Sequence, residues 1–303
     1  MPKTQAKGTS AYLFAGLAIL FWSTVSTAFK ICLRCQTPTQ LLLGSTFVSG
    51  IVILLVIFIQ HKQRLIKPAK LKEVAYSAIL GFLNPFLYYL VLLKAYMILP
   101  AQEAQALNYI WVVMISLLSI PILKQKPVFR DISGVLISFC GAVVIAFRGD
   151  FTHVRFAEPL GVSLALLSTL IWAVSWLYNV KDNRDSVIKL FWIFVFGFVY
   201  TLIYSLCTGQ FAIPGIVAME GETYIGLFEM GITFIVWMMA LKKATSTAKI
   251  TNLIFITPFI SLLIINRVLG EKIALSTLAG LALIIGGILW QQIGRKEAKQ
   301  LNT

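Results

Sequence analysis

Ten long apolar stretches fill this chain, with only short polar breaks between them. They cover about 11–29, 39–59, 73–93, 101–122, 131–147, 159–180, 187–207, 221–241, 247–266 and 274–290. Each holds about 17–23 residues, and a helix rising ~1.5 Å per residue needs ~20 to cross a hydrocarbon core of ~30 Å. Lipid gives the backbone no hydrogen-bond partner, so segments of this length must be helices. A water-soluble alternative needs ten buried helices and almost no solvated chain, which 303 residues cannot shelter. The expected fold class is therefore an all-α integral membrane protein with ten transmembrane helices.

Composition agrees with that class. Hydrophobic residues make up 58% and charged residues 13%, about half the charged share of a water-soluble domain. A net charge of +14 raises the question of nucleic acid. The basic residues gather at helix ends rather than along one face. They read as topology determinants and lipid-headgroup anchors, and no nucleic-acid partner is expected. A cleavable signal peptide is not expected either, because the first apolar segment is full length and lacks a small-residue cleavage site.

Short cytoplasmic loops retain Lys and Arg, so counting them sets the orientation. Of the 26 basic residues, 18 fall on one side: the N-terminus, the loops around Lys62–Lys72, Lys124–Arg130, Lys181–Lys189 and Lys242–Lys243, and the C-terminal tail. Seven fall on the other side, and Lys249 lies inside a span. This imbalance predicts a multi-pass protein of the plasma membrane (the inner membrane of a bacterium) with both termini cytoplasmic. The long loop 208–222 carries no Lys or Arg, as an exported loop should.

Five spans plus five suggest a duplication, with repeats over 1–150 and 151–303. An odd number of spans per half makes the second repeat enter from the opposite side. Sliding the halves by 146 residues pairs Lys126 with Lys272, Gly134 with Gly280 and Gly141 with Gly287, and a shift of 150 pairs Trp22 with Trp172. Inverted repeats in a multi-span chain point to alternating-access transport, with the substrate site near the midplane at the repeat interface.

Several short motifs carry a family resemblance. They are Leu20-Phe21-Trp22-Ser23-Thr24 in span one, Leu107-Asn108-Tyr109-Ile110-Trp111 in span four and Leu170-Ile171-Trp172-Ala173 in span six. Leu269-Gly270-Glu271-Lys272, followed by the stretch from Gly280 to Gly287, completes the set. In this order the chain resembles the ten-helix EamA branch of the drug/metabolite transporter superfamily. Its span-four motif is similar to that of bacterial aromatic amino acid exporters. The resemblance covers essentially the whole chain and implies two inverted five-helix repeats and secondary transport of small metabolites, often export. Two departures stand out: Val112 occupies a position usually taken by proline, which Thr257-Pro258 keeps in the second half, and Glu229 sits where the family is usually small and apolar.

An ionisable side chain inside a span is costly without a partner, which makes each one a functional candidate. Glu229 lies about 3 Å from the middle of span eight, at ~1.5 Å per residue. Desolvation there disfavours a charged carboxylate, which suits a proton carrier or a partner for a substrate ammonium; the alternative is a protonated acid hydrogen-bonded to a neighbouring helix. Glu103, after Pro100 in the first turn of span four, also complements the helix dipole. Lys249, one turn into span nine, is an ion-pair partner, an inner-gate charge or a side chain snorkelling to the headgroups.

Uncharged polar and aromatic residues share the same depth: Trp22, Ser23, Asn84, Asn108, Tyr109, Trp111, Trp172 and Thr257. Tryptophan in a span normally belongs at the interface belt. Three at mid-depth suggest an aromatic-lined cavity or, alternatively, packing between helices. Pro85 frees a carbonyl and kinks span three, and Asn84 either lines a cavity or satisfies that break. Gly134, Gly141, Gly280, Gly286 and Gly287 read as close helix packing between halves or between protomers.

The absences are informative. His61 and His153 lie in loops, and no GxxxxGK[ST] motif occurs, so neither a histidine-based catalytic or metal site nor ATP hydrolysis is expected. Cys32 and Cys35 form a lone CxxC that reads as two thiols or a disulfide rather than a zinc site. The sequence thus points to a secondary transporter without cofactors, a monomer or homodimer in the bilayer, with a small-molecule substrate such as an amino acid and the proton as a candidate coupling ion. A lipid-acting membrane enzyme, or a channel, receptor or flippase, are the alternatives.

Overall fold

The computed structural model of the chain describes residues 2–61, 71–124, 129–149, 158–244, 250 and 253–300, and every long regular element among them is a helix. The helices are α1 (Pro2–Cys32), α2 (Pro38–Ile59), α3 (Leu71–Gly81), α4 (Tyr88–Ile98), α5 (Ala101–Asn108), α6 (Trp111–Leu123) and α7 (Phe129–Ala146). They continue as α8 (Pro159–Lys181), α9 (Ser186–Cys207), α10 (Ile216–Phe228), α11 (Ile232–Lys243), α12 (Thr257–Leu269) and α13 (Leu275–Gln300). A π segment, Phe82–Leu87, joins α3 to α4, and a 3₁₀ turn, Leu253–Ile256, leads into α12. Among the described residues nine helical segments are long and apolar enough to cross a membrane, and the shorter apolar helix Leu253–Leu269 completes the expected ten. The residue pattern is that of a protein in lipid: Leu13, Leu136 and Leu263 are 71, 62 and 61% exposed, whereas Ser23, Ser45, Ser138 and Ser168 are fully buried. Small hydroxyl residues let helices approach closely, and the apolar faces turn to the solvent that suits them.

Four of the ten spans depart from a regular α-helix. Span three breaks, as Pro85 leads one to expect, where Asn84 adopts an extended backbone (φ −151°, ψ 120°). Span four tightens at Tyr109 and Ile110, between α5 and α6, where the chain keeps right-handed angles. Span eight breaks at Glu229–Gly231, and in span nine a 3₁₀ turn, Leu253–Ile256, precedes α12. These departures recur at one spacing, since 146 residues separate Asn84 from Met230 and Tyr109 from Phe255. The same shift carries both ends of α6 onto those of α12 and the start of α7 onto that of α13. Both α6 and α12 end on a left-handed residue, Lys124 (φ 54°) and Gly270 (φ 72°), again 146 apart. A shift of 148 carries both ends of α2 onto those of α9. Each of those two helices opens with a polar cap: Thr37 accepts from the Gln40 N–H, and Asp185 accepts from the N–H groups of Val187 and Ile188. The bounds of α2 and α6 thus recur in α9 and α12.

The compact units of the structure do not follow the two halves of the sequence. One contains residues 1–86 and 184–270, the other 87–183 and 271–303. In the first, α1 packs on α10, α11 and α12, while α2 packs on α9 and α10 and α3 packs on α9. Glycines permit the closest approaches: a Cβ at Gly197 would overlap the Pro85 ring, and one at Gly81 would lie 2.5 Å from the Ile193 carbonyl oxygen.

In the second unit, α8 packs on α4, α5 and α6, and α7 packs along α13. The glycines that the sequence paired by repeat meet crosswise here. A Cβ on Gly134 would overlap the Gly287 carbonyl, and one on Gly141 would overlap the Gly280 carbonyl. Between them the Ser138 hydroxyl donates to the Ile284 carbonyl at 3.1 Å, and these two residues are themselves 146 apart. Reciprocal contact of equivalent residues is what a local two-fold axis between α7 and α13 produces.

Candidate functional site

The aromatic and polar candidates fall into two groups, one in each unit. In the first unit, Trp22 on α1 meets α11. Its ring lies 5.5 Å from that of Phe234, edge to face, and 5.7 Å from that of Trp237. Next to it, the Ser23 hydroxyl donates to the Ile19 carbonyl at 2.6 Å and lies 3.2 Å from that of Thr257, where α12 begins. Thr24 and the Tyr224 hydroxyl share a 2.6 Å hydrogen bond, and Phe21 packs on Phe228 at 4.6 Å. Three successive side chains of α1 thereby touch α11, α12 and α10.

Glu229 terminates α10, directly at the break. Its N–H still reaches the Ile225 carbonyl, and Met230 donates to that same carbonyl at 3.3 Å. Gly231 then takes φ −113°, ψ −96°. A Cβ there would sit 2.8 Å from the Gly226 oxygen, so glycine is what lets the chain turn. The Phe228 carbonyl, freed by the break, accepts from the Thr233 hydroxyl. Glu229 is therefore half-buried among freed backbone groups rather than mounted on a continuous helix. The continuous helix expected around it is interrupted.

The second unit holds the counterpart. Trp172 on α8 lies 4.8 Å from Tyr88 on α4, 6.2 Å from Trp111 and 6.1 Å from Trp176, with which it stacks. Trp22 and Trp172 are 150 residues apart, and their partners Tyr88 and Phe234 are 146 apart, so the repeat preserves the ring contact. Asn108 ends α5 and donates from Nδ2 to the Tyr88 hydroxyl at 3.2 Å, while its Oδ1 lies 3.4 Å from the Ser168 hydroxyl. The Trp172 ring nitrogen is buried and makes no hydrogen bond. Tyr109 caps α5, with its N–H on the Gln105 carbonyl. The departure at Val112 has a local consequence: its N–H donates to the Tyr109 carbonyl at 3.3 Å, a bond that Pro258 cannot make at the matching position of α12.

Other candidates are placed differently. Glu103 is buried in the first turn of α5 and held by a two-pronged contact from Arg148, Nε to Oε1 at 2.7 Å and Nη2 to Oε2 at 3.3 Å. Close by, the Glu271 carboxylate accepts from the N–H groups of Ala101 and Gln102, at 2.9 and 3.3 Å. Those are orphan donors of the helix start, which gives the Gly270-Glu271-Lys272 motif a capping task. Asn84 is half-buried at its break and its side chain makes no hydrogen bond among the described residues. Lys249 lies outside the described residues. Among the described residues, no three acidic, histidine or cysteine side chains are grouped to hold a metal ion.

One acid escaped the sequence reading. Glu222, 6% exposed, lies against the Gly44 backbone of α2 and has neither hydrogen bond nor ion pair among the described residues. It stands at the very start of the apolar stretch 221–241, away from the middle of the span where a charge draws attention. The signal that could have found it is its spacing, seven residues and so two turns before Glu229.

A model of the EamA-like transporter family matches residues 9–147 and, separately, 159–291. The chain is similar to the uncharacterized transporter YvbV of Bacillus subtilis, 26% identical over 95% of this chain and 92% of that protein. It is similar also to an uncharacterized transporter of Archaeoglobus fulgidus, 25% identical over 91% of this chain and 96% of its counterpart. One solved crystal structure with 21% identity shares the fold, with a TM-score of 0.63 over 98% of this chain and all of that one.

Proposed function

The chain belongs to the EamA-like transporter family, and from that premise we propose that it exports an amino acid or similar amphipathic metabolite by alternating access, driven by protons. It is a multi-pass membrane transporter, and its partners are the lipid bilayer and a small-molecule substrate. The observation that carries the finer reading is the acid at a helix break: Glu229 ends α10 where freed carbonyls and a glycine interrupt span eight. Discontinuous helices in corresponding positions of two repeats are how transporters of this kind build midplane sites. Glu229 binds the coupling proton or a substrate ammonium. Within the first unit Trp22 with Phe234 offers ring faces suited to an amphipathic solute, and within the second Trp172 with Tyr88 and Asn108 offers ring faces and an amide. The repeats extend over 1–150 and 151–303 with opposite orientation, and both termini face the cytoplasm, on the side with 18 of the basic residues.

The test is efflux from reconstituted vesicles with and without an imposed pH gradient, with unlabelled amino acids and nucleobases competing against a labelled solute. A gradient-driven flux that disappears in Glu229→Gln, while the variant folds and still binds solute, is the expected result. Unchanged flux and pH dependence in that variant would remove Glu229 from the mechanism.

A further inference from the structure

Polar groups with unmet hydrogen bonds lie between α1, α2 and α10 of the first unit. Gln36, in the turn between α1 and α2, is 9% exposed, and among the described residues neither its amide nitrogen nor its oxygen has a partner. The Ser45 hydroxyl is fully buried and has no partner among them either. Glu222 lies among them. Its carboxyl occupies the space where Gly44, the neighbour of Ser45, would carry a Cβ. The Gln36 amide nitrogen is 3.9 Å from the Cβ position of Gly221, next to Glu222 in sequence, and the Cys32 thiol touches the same place. Further along the α2–α10 contact, the Ser49 hydroxyl lies 3.0 Å from the Gly226 carbonyl, and Val52 faces Gly231 at the break. Glu229 follows Glu222 by two turns, ~10.5 Å at ~1.5 Å per residue and within ~20° of the same helix face.

We propose that Glu222 is a proton-binding site that exchanges its proton, along the polar seam between α2 and α10, with Glu229. This rests on the proton-coupled reading of Glu229 and deepens it. A buried carboxylate without counter-charge or donor is strongly disfavoured, so the acid there is held neutral by a proton. Among the described residues no counter-charge is paired with it. From α1 the Cys32 thiol reaches the level of its neighbour Gly221. α2 carries no titratable side chain. On its own helix, Glu220 and Glu229 are acids and Tyr224 is bonded to Thr24; α11 has its two lysines, Lys242 and Lys243, at the end remote from α10. In the transfer, the Glu222 O–H bond breaks, its proton passes through the Ser45 hydroxyl and intervening water, and an O–H bond forms on the Glu229 carboxylate. Glu222 is reprotonated from the aqueous side at Gln36. No charge is gained or lost overall.

Two measurements decide the matter. In the first, the full-length protein in phospholipid vesicles is treated with dicyclohexylcarbodiimide, which modifies protonated carboxyls in membranes, across a range of pH, and the adducts are located by mass spectrometry. Modification of Glu222 on the acid side, falling as pH rises, is expected. A Glu222 that stays unmodified at every pH overturns the proposal. The second compares efflux of tritiated phenylalanine in wild type and Glu222→Gln. Gradient-driven efflux should drop by an order of magnitude or more while exchange without a gradient persists. Wild-type rates and pH dependence in the variant overturn the proposal. Wild-type protein without any gradient-driven flux would instead sink the Glu229 reading, and the labelling would still decide whether Glu222 binds a proton.

Discussion

Glu103 in the second unit and Glu222 in the first are both 6% exposed, Glu103 in the first turn of α5 and Glu222 within the second turn of α10. Their surroundings differ completely. Glu103 faces the Arg148 guanidinium through two contacts, whereas Glu222 lies against the Gly44 backbone and makes no hydrogen bond or ion pair among the described residues. A paired carboxylate is charged, fixed and costly to separate from its partner. An unpaired one is disfavoured in its charged form, and a proton relieves that cost. The same residue type, equally buried, therefore serves as a brace in one unit and, on the proposal above, as a switchable group in the other.

The contrast breaks most visibly at Arg148. Arg148→Met leaves the Glu103 carboxylate buried and uncompensated. Losing one partner of a buried pair costs ~3–5 kcal/mol, reduced to about 2–3 kcal/mol here because the Arg148 side chain is itself 44% exposed. Denaturant titration in mixed micelles should show that loss, and Glu103→Gln added to it should restore most of the stability. A double variant no more stable than the single would mean that Glu103 needs no counter-charge, and the comparison with Glu222 would collapse.

A smaller effect tests whether the repeat is a physical symmetry or only a numerical spacing. Gly141→Ala and Gly280→Ala each drive a methyl into the other residue's carbonyl. Backbone cannot rotate aside, so each should cost about 1–2 kcal/mol, at the low end of overpacking penalties. The two losses should be equal within error, and the double variant should fall short of their sum because both disturb one contact. Unequal losses would show that α7 and α13 do not share a local two-fold axis.

Much of this was legible in the sequence because lipid allows so few solutions. Hydropathy alone delimited ten segments; among the described residues nine lie in helical stretches long enough to cross a membrane, some of them interrupted, and the tenth is the shorter Leu253–Leu269. The glycine pairs at 134 and 280, and at 141 and 287, foretold close helix approach, though not that they would cross to meet. What hydropathy misses is local backbone geometry. Apolar side chains run unbroken through Leu107–Trp111 apart from Asn108 and Tyr109, and nothing in their hydrophobicity signals the turn that splits α5 from α6. The break at Glu229–Gly231 depends on how closely Gly231 approaches Gly226, a contact between residues that a window average treats as equivalent. Glu222 was overlooked for a related reason: depth counted along the chain says nothing of which face a side chain occupies, and its isolation follows from Gly44 on another helix. Glu103 was visible as an acid in a first turn, but its partner lies 45 residues away.

The smallest expected effect is the most discriminating. Glu222→Gln keeps the shape of the side chain and replaces an O–H by an N–H₂ of similar size. If the native acid is already protonated, the substitution exchanges one neutral polar group for another. Stability should then change by no more than about 0.5 kcal/mol, the ordinary range for a change that breaks no named interaction. The matched substitution at Glu103 removes one charge of an ion pair and leaves the half-exposed Arg148 facing a neutral amide, so it should be clearly the more damaging of the two. Measured under one denaturant at neutral pH, a Glu222→Gln variant destabilised as much as Glu103→Gln would mean that Glu222 is charged and paired in the folded protein. It would then be a second brace, and the seam between α2 and α10 would carry no proton.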